Sequence, residues 1–356
     1  MYPELFEIPF IHVTVKSYGL MMVIGFLAAV SLIRRLSRDF TPDPQLITNA
    51  ALYSLVGGVI GARIFFVIHY FDRFRESPIE VFFIWQGGLE LLGGVIAAIS
   101  IIFFYLVYHK LPIRRYLDVL AIGLMLTLVF GRIGCFLNGC CFGKPTDLPW
   151  GVRFPYNSFA YFSQVNPDPN RNRSGPHLQL PNTYFSSFDE NGIGYLKPRD
   201  ELTDEQRFEV TQGKYRCLSV HPTQLYASGL AALWGFVLFL FWRRSEKAGS
   251  ANTSRKLFAK SGCTFALMFL LYGLTRFLVE FLRDDNPFEY TWWAVYKGGT
   301  VSQNLGIYMV VLGIVLMVLF QIMKPSSITH VGNNETKALK RNKKRSIKTT
   351  NNEIRE

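Results

Sequence analysis

Arg276, Glu280 and Arg283 stand at spacings i, i+4 and i+7, which places two guanidinium groups and one carboxylate on a single helical face. Arg63 and Arg132 also stand within long apolar stretches, where a charge is costly and marks either a pairing or a function. Guanidinium forks bind phosphate oxygens two at a time. Arginines in excess of carboxylate therefore describe a site for a phosphate, and at the depth of a membrane span the available phosphate is a phospholipid headgroup. The plainer reading is that Arg276 and Glu280 pair with each other while Arg63 and Arg283 extend to the interface.

The elements that must position these groups are membrane spans. Of the 356 residues, 49% are hydrophobic, 31 are Phe and only 18% are charged, a composition that argues against soluble domains. Seven stretches approach the length needed to cross a hydrocarbon core: about 18 to 34, 48 to 69, 88 to 108, 117 to 142, 222 to 242, 262 to 283 and 303 to 323. The expected fold is thus an all-α polytopic membrane protein with about seven transmembrane helices. Tyr18 to Ile33 reads as a retained span, since neither a charged n-region nor a small-residue cleavage site accompanies it.

Basic residues orient the spans, because short Lys/Arg-rich loops stay in the cytoplasm. Arg34, Arg35 and Arg38 follow span one, Lys110, Arg114 and Arg115 follow span three, and Arg243, Arg244, Lys247, Arg255, Lys256 and Lys260 follow span five. The loop after span two balances Arg73 and Arg75 against Asp72, Glu76 and Glu80. The N-terminus is then outside and the C-terminus cytoplasmic. Residues 1–143 hold spans one to four, 144–220 form an extracytoplasmic head segment, 221–323 hold spans five to seven and 324–356 form a basic tail with nine Lys/Arg against three Glu. That tail is read as an anchor for anionic lipid rather than a nucleic-acid contact. The head is expected to be partly ordered, with a flexible loop around Asn166 to Pro176.

In this topology Arg63, Arg132, Arg276, Glu280 and Arg283 lie late in spans that run outward, hence in one layer of the outer half of the bilayer. Tyr18 with Gly19, the Gly87-Gly88 and Gly93-Gly94 pairs, His221 with Gln224 and Tyr226, and Gln303 with Asn304 reach the same layer from the remaining spans. Gly57, Gly58 and Gly61 are assigned to close helix packing, whereas Gly131, Gly134, Gly139 and Gly143 surround Arg132 where backbone can also approach a headgroup. Cys140 and Cys141 are adjacent, with Cys135 upstream and Cys217 in the head. A disulfide from Cys217 to Cys140 or Cys141 would suit an oxidising compartment, and a zinc site is disfavoured because no second cysteine pair stands at metal spacing. Cys263 is read as packing.

Gly131-Arg132-Ile133-Gly134-Cys135-Phe136-Leu137-Asn138-Gly139 resembles the signature of prolipoprotein diacylglyceryl transferases. Tyr18-Gly19-Leu20-Met21, Gly61-Ala62-Arg63, the block His221 to Tyr226 and the block Tyr272 to Arg283 resemble further family elements in the same order. The resemblance spans all seven predicted helices but not the head's length or the tail. It implies a bacterial inner-membrane enzyme facing the periplasm, with phosphatidylglycerol and the lipobox cysteine of prolipoprotein signal peptides as substrates. The lipobox thiol attacks C3 of the glyceryl moiety, a thioether forms and glycerol phosphate leaves. No cofactor, metal or nucleotide is implied.

Carried over by position, the resemblance gives catalytic roles to Arg132, Arg276, Glu280, Tyr18 and His221. It gives phosphatidylglycerol contacts to Arg132, Arg63, Asn138, Gly143, Gln224, Tyr226 and Arg283. This chain departs from the family by carrying Cys135 for Asn, Cys140 for Glu and Leu92 for His, which leaves His221 and Glu280 as proton acceptors for the thiol. A divergent branch with paired cysteines is similar in this respect. The departures motivate a second reading, a relative that binds lipid or lipoprotein without transfer. A phospholipid or anion transporter fits less well, because the charges gather in one half of the spans, and a thiol oxidoreductase would need a Cys-x-x-Cys motif.

Overall fold

A computed structural model describes residues 4–8, 13–41, 43, 45–75, 78–83, 88–190, 192–250 and 260–323. The basic tail, Arg255, Lys256, Glu76 and Gly87 lie outside the described residues. In chain order the elements are a hairpin of β1 (Glu4–Ile8) and β2 (Val13–Lys16), then α1 (Ser17–Leu36), α2 (Gln45–His69), the single turn α3 (Phe71–Phe74), α4 (Leu91–Tyr108) and α5 (Ile113–Asn138). The head follows with α6 (Phe159–Val165), an antiparallel pair of β3 (Phe185–Phe188) and β4 (Gly194–Leu196), and α7 (Asp204–Thr211). The helices α8 (Thr223–Ser250), α9 (Cys263–Glu280) and α10 (Val301–Ile322) complete the described chain.

The protein is mostly helical, and six helices, α1, α2, α5, α8, α9 and α10, are long and apolar enough to cross a membrane. A further apolar helix runs over Leu92–Tyr108, within α4. Helices satisfy every backbone N–H and C=O internally, which is why such apolar sequences adopt them. Large apolar side chains such as Leu27, Ile60, Phe104 and Val311 remain exposed, as a lipid-facing surface requires. The two short hairpins are β structure beyond the all-α expectation. Two predicted spans also end early: α5 stops at Asn138 and α9 at Glu280, so Cys140, Cys141 and Arg283 sit in turns beyond their helices.

The chain divides into two compact units, one of residues 1–29 and 121–322, the other of 30–120 with 323–356, and the division falls within α1 and α5. In the second unit, α2 and α4 meet backbone to backbone. A methyl added at Gly61 or Gly94 would meet a carbonyl of the opposite helix, and one added at Gly57 would meet Ile101, so these glycines pack as small residues do between membrane helices. Ile47, Leu106, Leu111 and Tyr116 form its buried cluster, and Thr41 Oγ1 lies 2.6 Å from the Tyr116 hydroxyl. In the first unit, α9 and α10 approach through Gly273 and Gly306, where each Cβ would press on the other's carbonyl.

The head, within the first unit, has its own apolar core of Phe142, Phe154, Tyr161, Tyr184, Leu202 and Val220 among others. Its helices are capped locally: Ser158 accepts from Tyr161 N, and Thr203 with Gln206 forms a reciprocal capping box on α7. The loop expected to be flexible around Asn166 to Pro176 is instead bound. Asp168 and Arg173 exchange two backbone hydrogen bonds of 2.9 and 3.0 Å, and Arg171 and Arg173 reach Asp284 at 3.5 and 3.1 Å, with His177 Nε2 on the same carboxylate at 3.3 Å. The Arg171 guanidinium also donates to the Arg283 carbonyl at 2.9 Å and lies over Phe288. Polar composition suggested mobility, but ion pairs from Arg173 and Arg171 to Asp284, 111 and 113 residues away in sequence, fix the loop.

Asp284→Ala leaves two buried guanidinium groups without their shared carboxylate, a change that costs about 3–5 kcal/mol when a buried pair is broken from one side. The expected outcome is a lowered thermal transition together with new proteolytic cleavage between residues 166 and 176, read by gel and mass spectrometry.

Candidate functional site

The site is built in the first unit at the end of α5. Gly139 takes a positive φ of 78°, and Cys141 takes the left-handed conformation at φ 61°. Left-handed backbone costs a non-glycine residue about 1–3 kcal/mol and persists only where its surroundings hold it. Here two side chains from the start of α8 do so: Thr223 Oγ1 donates to the Cys141 carbonyl and Gln224 Nε2 to the Cys140 carbonyl, each at 2.7 Å. The turn folds the two cysteines back on the helix they leave, and the sulfurs of Cys135, Cys140 and Cys141 all lie within 4.8 Å of one another.

Beyond the turn the chain is stitched on both sides. Gly143 N donates to His221 O at 3.1 Å, Lys144 N to Leu282 O at 2.8 Å, His221 N to Lys144 O at 3.1 Å and Asp284 N to Phe142 O at 3.3 Å. A Cβ on Gly143 would stand 2.5 Å from His221 O and 2.9 Å from Leu282 O, so only glycine lets the three segments close. Gly134 likewise admits Tyr18 and Met21 of α1, and Gly131 admits Met22.

Arginines and carboxylates converge beside this seam. Glu280, 2% exposed, lies with Oε2 3.6 Å from Arg276 and 3.7 Å from Arg283, while Oε1 accepts from Thr300 Oγ1 at 3.0 Å and from Asn286 Nδ2. Oε2 has no hydrogen-bond donor of its own. Arg276 donates to Ser302 Oγ. Arg283 forms a two-pronged pair with Asp285, Nε to Oδ1 at 2.9 Å and Nη2 to Oδ2 at 2.7 Å. Arg132 lines a small cleft with Arg276, Tyr272, Thr275 and Trp234, and the charges of Arg132, Arg276 and Arg283 act on one another. Three guanidinium groups thus face two carboxylates, and Arg132 is the one with no carboxylate at ion-pair distance among the described residues.

Of the residues singled out in the sequence, Tyr18, Arg132, Arg276, Glu280 and Arg283 come together, with Tyr18 in electrostatic reach of Arg132 and the three cysteines. Arg283 reaches Glu280 from the turn past α9 rather than from its helical face. Gln224 and Gly143 hold the seam, and Asn138 bonds toward Cys140. The Tyr226 hydroxyl lies 2.7 Å from Trp150 Nε1 and 3.4 Å from His221 Nδ1. Arg63 belongs to the second unit, where its guanidinium donates to the carbonyls of Val81, Gly88 and Glu80 at 2.5–2.9 Å. Leu92 is in that unit too, 61% exposed.

The disulfide expected of Cys217 is not formed. All five cysteines are free, and Cys217 is buried in the head core, donating to Gln164 Oε1 at 3.4 Å. Burial pushes its thiol up to about 11, so it stays protonated at neutral pH. The sequence reading missed Asp285, Asn286, Thr300 and Ser302, and it gave no role to Thr223 although Thr223 lies in the block His221 to Tyr226. Asp285 alone carried a signal, a carboxylate two residues from an arginine. Gln303 and Asn304, chosen instead on α10, bond to the loop before it, to Thr300 N and to the Tyr296 backbone.

Glu280→Gln keeps the shape and the Oε1 acceptor but removes the charge that two buried arginines share. It is expected to lower the thermal transition by more than Asn286→Ala, which removes one neutral donor, because buried charge pairs broken from one side cost about 3–5 kcal/mol and a neutral hydrogen bond about 0.5–1.5 kcal/mol. Equal shifts in the two variants would remove Glu280 as the electrostatic centre.

The family described as prolipoprotein diacylglyceryl transferase matches residues 3–319. The chain is 28% identical to a Clostridium tetani protein over 285 residues, 80% of this chain and 86% of the relative. It is 30% identical to one from Xanthomonas oryzae pv. oryzae over 311 residues, 86% and 87% of the two chains, and 26% identical to one from Roseobacter denitrificans over 338 residues, 89% and 95%. Each of these relatives is named phosphatidylglycerol–prolipoprotein diacylglyceryl transferase. The match runs across both compact units, and the chain belongs to the prolipoprotein diacylglyceryl transferase family.

Proposed function

We propose that this chain is a transferase that moves the diacylglyceryl group of phosphatidylglycerol onto the cysteine thiol of prolipoproteins, the first step of lipoprotein maturation. The family and the relatives' names support the reaction. The observation that carries the site is Arg132, a partly buried guanidinium without a carboxylate at ion-pair distance among the described residues, beside arginines already matched to Glu280 and Asp285. A cation in low dielectric without a counter-ion attracts an anion strongly, and the guanidinium fork fits two phosphate oxygens.

In this reading the thiolate sulfur attacks C3 of the glyceryl moiety, the C–O bond to phosphate breaks, and the electron pair leaves with glycerol phosphate. Arg132 offsets the charge that grows on the departing phosphate, as an oxyanion hole does. Arg276 and Arg283 hold Glu280 in place, and its Oε2, without a donor, receives a hydroxyl of the glycerol headgroup. Tyr18 closes the site from α1. His221, Gln224, Tyr226, Asn138 and Gly143 shape it through the seam, and Arg63 holds the segment before α4.

The same reading places the protein in a bacterial inner membrane with seven spans. The helix from Leu91 to Tyr108 has 18 residues, and at about 1.5 Å per residue it covers about 27 Å, near the thickness of the hydrocarbon core. The N-terminus and head then face the periplasm, and the basic tail lies in the cytoplasm.

The test is transfer by the purified chain in nanodiscs containing phosphatidylglycerol, with a lipobox peptide and mass spectrometry of the thioether product. Product is expected with the cysteine peptide and none with its Cys-to-Ser form. Arg132→Ala is expected to lower the rate about 100- to 1000-fold, as loss of one transition-state donor does, while the protein still inserts. Unchanged turnover in Arg132→Ala removes the phosphate assignment.

A further inference from the structure

Transfer to a thiol requires a thiolate, and a free thiol near neutral pH is only a few per cent ionised. The carboxylates of the site are already engaged by arginines: Glu280 lies between two of them and Asp285 is held in a two-pronged pair with Arg283. Besides His221 at the seam, what the site offers the thiol is sulfur. Cys135, Cys140 and Cys141 form the one group of metal-ligating side chains among the described residues whose donor atoms gather this closely, all within 4.8 Å. Tetrahedral zinc with Zn–S bonds of about 2.3 Å separates its sulfurs by about 3.8 Å, so modest side-chain rotation brings the three onto one ion.

Three features make this a built arrangement. The left-handed Cys141, at φ 61°, is held against its strain by Thr223 and Gln224 through the two cysteine carbonyls. Cys135 is supplied by the last turns of a rigid helix, α5. Arg132 and Arg283 lie in electrostatic reach of Cys141, and their charge compensates the negative excess of three thiolates around a divalent ion. Three ligands with the fourth position open is the composition of a catalytic zinc site, whereas structural sites are closed by four.

We propose that Cys135, Cys140 and Cys141 bind a soft divalent metal ion, zinc, and that its fourth position takes the substrate's cysteine sulfur. This rests on the transferase reading and supplies its missing thiol activation. On coordination the substrate thiol loses its proton to solvent, since a coordinating thiol is deprotonated by the ion's charge. The bound sulfur then forms its bond to C3 as the C–O bond to phosphate breaks, and the thioether, a poorer ligand, leaves the metal. The cysteines that replace Asn and Glu in this chain are then the origin of a different activation of the same nucleophile.

The experiment is metal analysis of the full chain purified in nanodiscs without chelator. About one zinc per chain is expected, and Cys135→Ser, Cys140→Ser and Cys141→Ser should each lose it. In the unmutated chain, zinc should protect these three cysteines from alkylation, mapped by mass spectrometry, which keeps the test decisive if a variant fails to insert. With cadmium as the probe, the sulfur-to-metal charge-transfer band should rise by about one third when a lipobox peptide adds a fourth thiolate to three, and should not rise with the Cys-to-Ser peptide. A chain that transfers at full rate with no bound metal overturns the proposal and leaves the transferase standing. A chain that binds zinc and captures the peptide sulfur but never transfers lipid sinks the transferase reading and leaves the metal site. Lack of zinc protection, an unchanged cadmium band or an isolated disulfide among the three cysteines each overturns the proposal.

Discussion

The backbone seam at residues 142–146 is the constraint on which the site depends. Phe142, Gly143 and Lys144 exchange hydrogen bonds with His221 on one side and with Leu282 and Asp284 on the other. Through it the end of α5, the start of α8 and the end of α9 are held in register. Each segment carries one part of the candidate site: the cysteines and Arg132 on the first, Thr223 and Gln224 on the second, Glu280 and Arg283 on the third. The seam closes only because Gly143 has no side chain to hold apart two opposing carbonyls.

Charge balance follows from that register. Glu280 is buried and is shared by Arg276 and Arg283, and Arg283 takes a second carboxylate from Asp285. Asp284, one residue earlier, faces the other way and binds Arg171 and Arg173 of the head. Two consecutive acidic residues thus serve two arginine groups, one for the site and one for docking the head beside it. Arg132, in electrostatic reach of Cys135 and Cys141, has no carboxylate at ion-pair distance among the described residues, and the surplus positive charge falls there.

Packing between helices is carried by small residues. In the first unit Gly273 and Gly306 bring α9 and α10 together at backbone distance, which aims Ser302 and Thr300 at the Arg276–Glu280 pair. In the second unit Gly61, Gly93 and Gly94 do the same for α2 and α4, and Arg63 serves as a clamp on the carbonyls before α4. Apolar side chains gain little from meeting one another in lipid, so close backbone approach and interhelical hydrogen bonds carry the specificity.

Features that depend on near neighbours were readable from the sequence. Runs of apolar residues marked the long helices, the i, i+4 spacing paired Arg276 with Glu280, and the blocks around Arg132 and Tyr272 pointed to the family the chain belongs to. Residues joined across long separations were not readable. Asp284 and Arg173 meet across 111 positions and Gln224 and Cys140 across 84, and no local periodicity announces such pairs. The same holds where a helix stops: an apolar run continues past Asn138 and Glu280, but competing hydrogen bonds from distant segments end both helices there. That choice turns Cys140 and Cys141 back toward Cys135 and swings Arg283 to Asp285. Composition and spacing named the charged groups, but only tertiary hydrogen bonding decided which of them are matched to a carboxylate among the described residues.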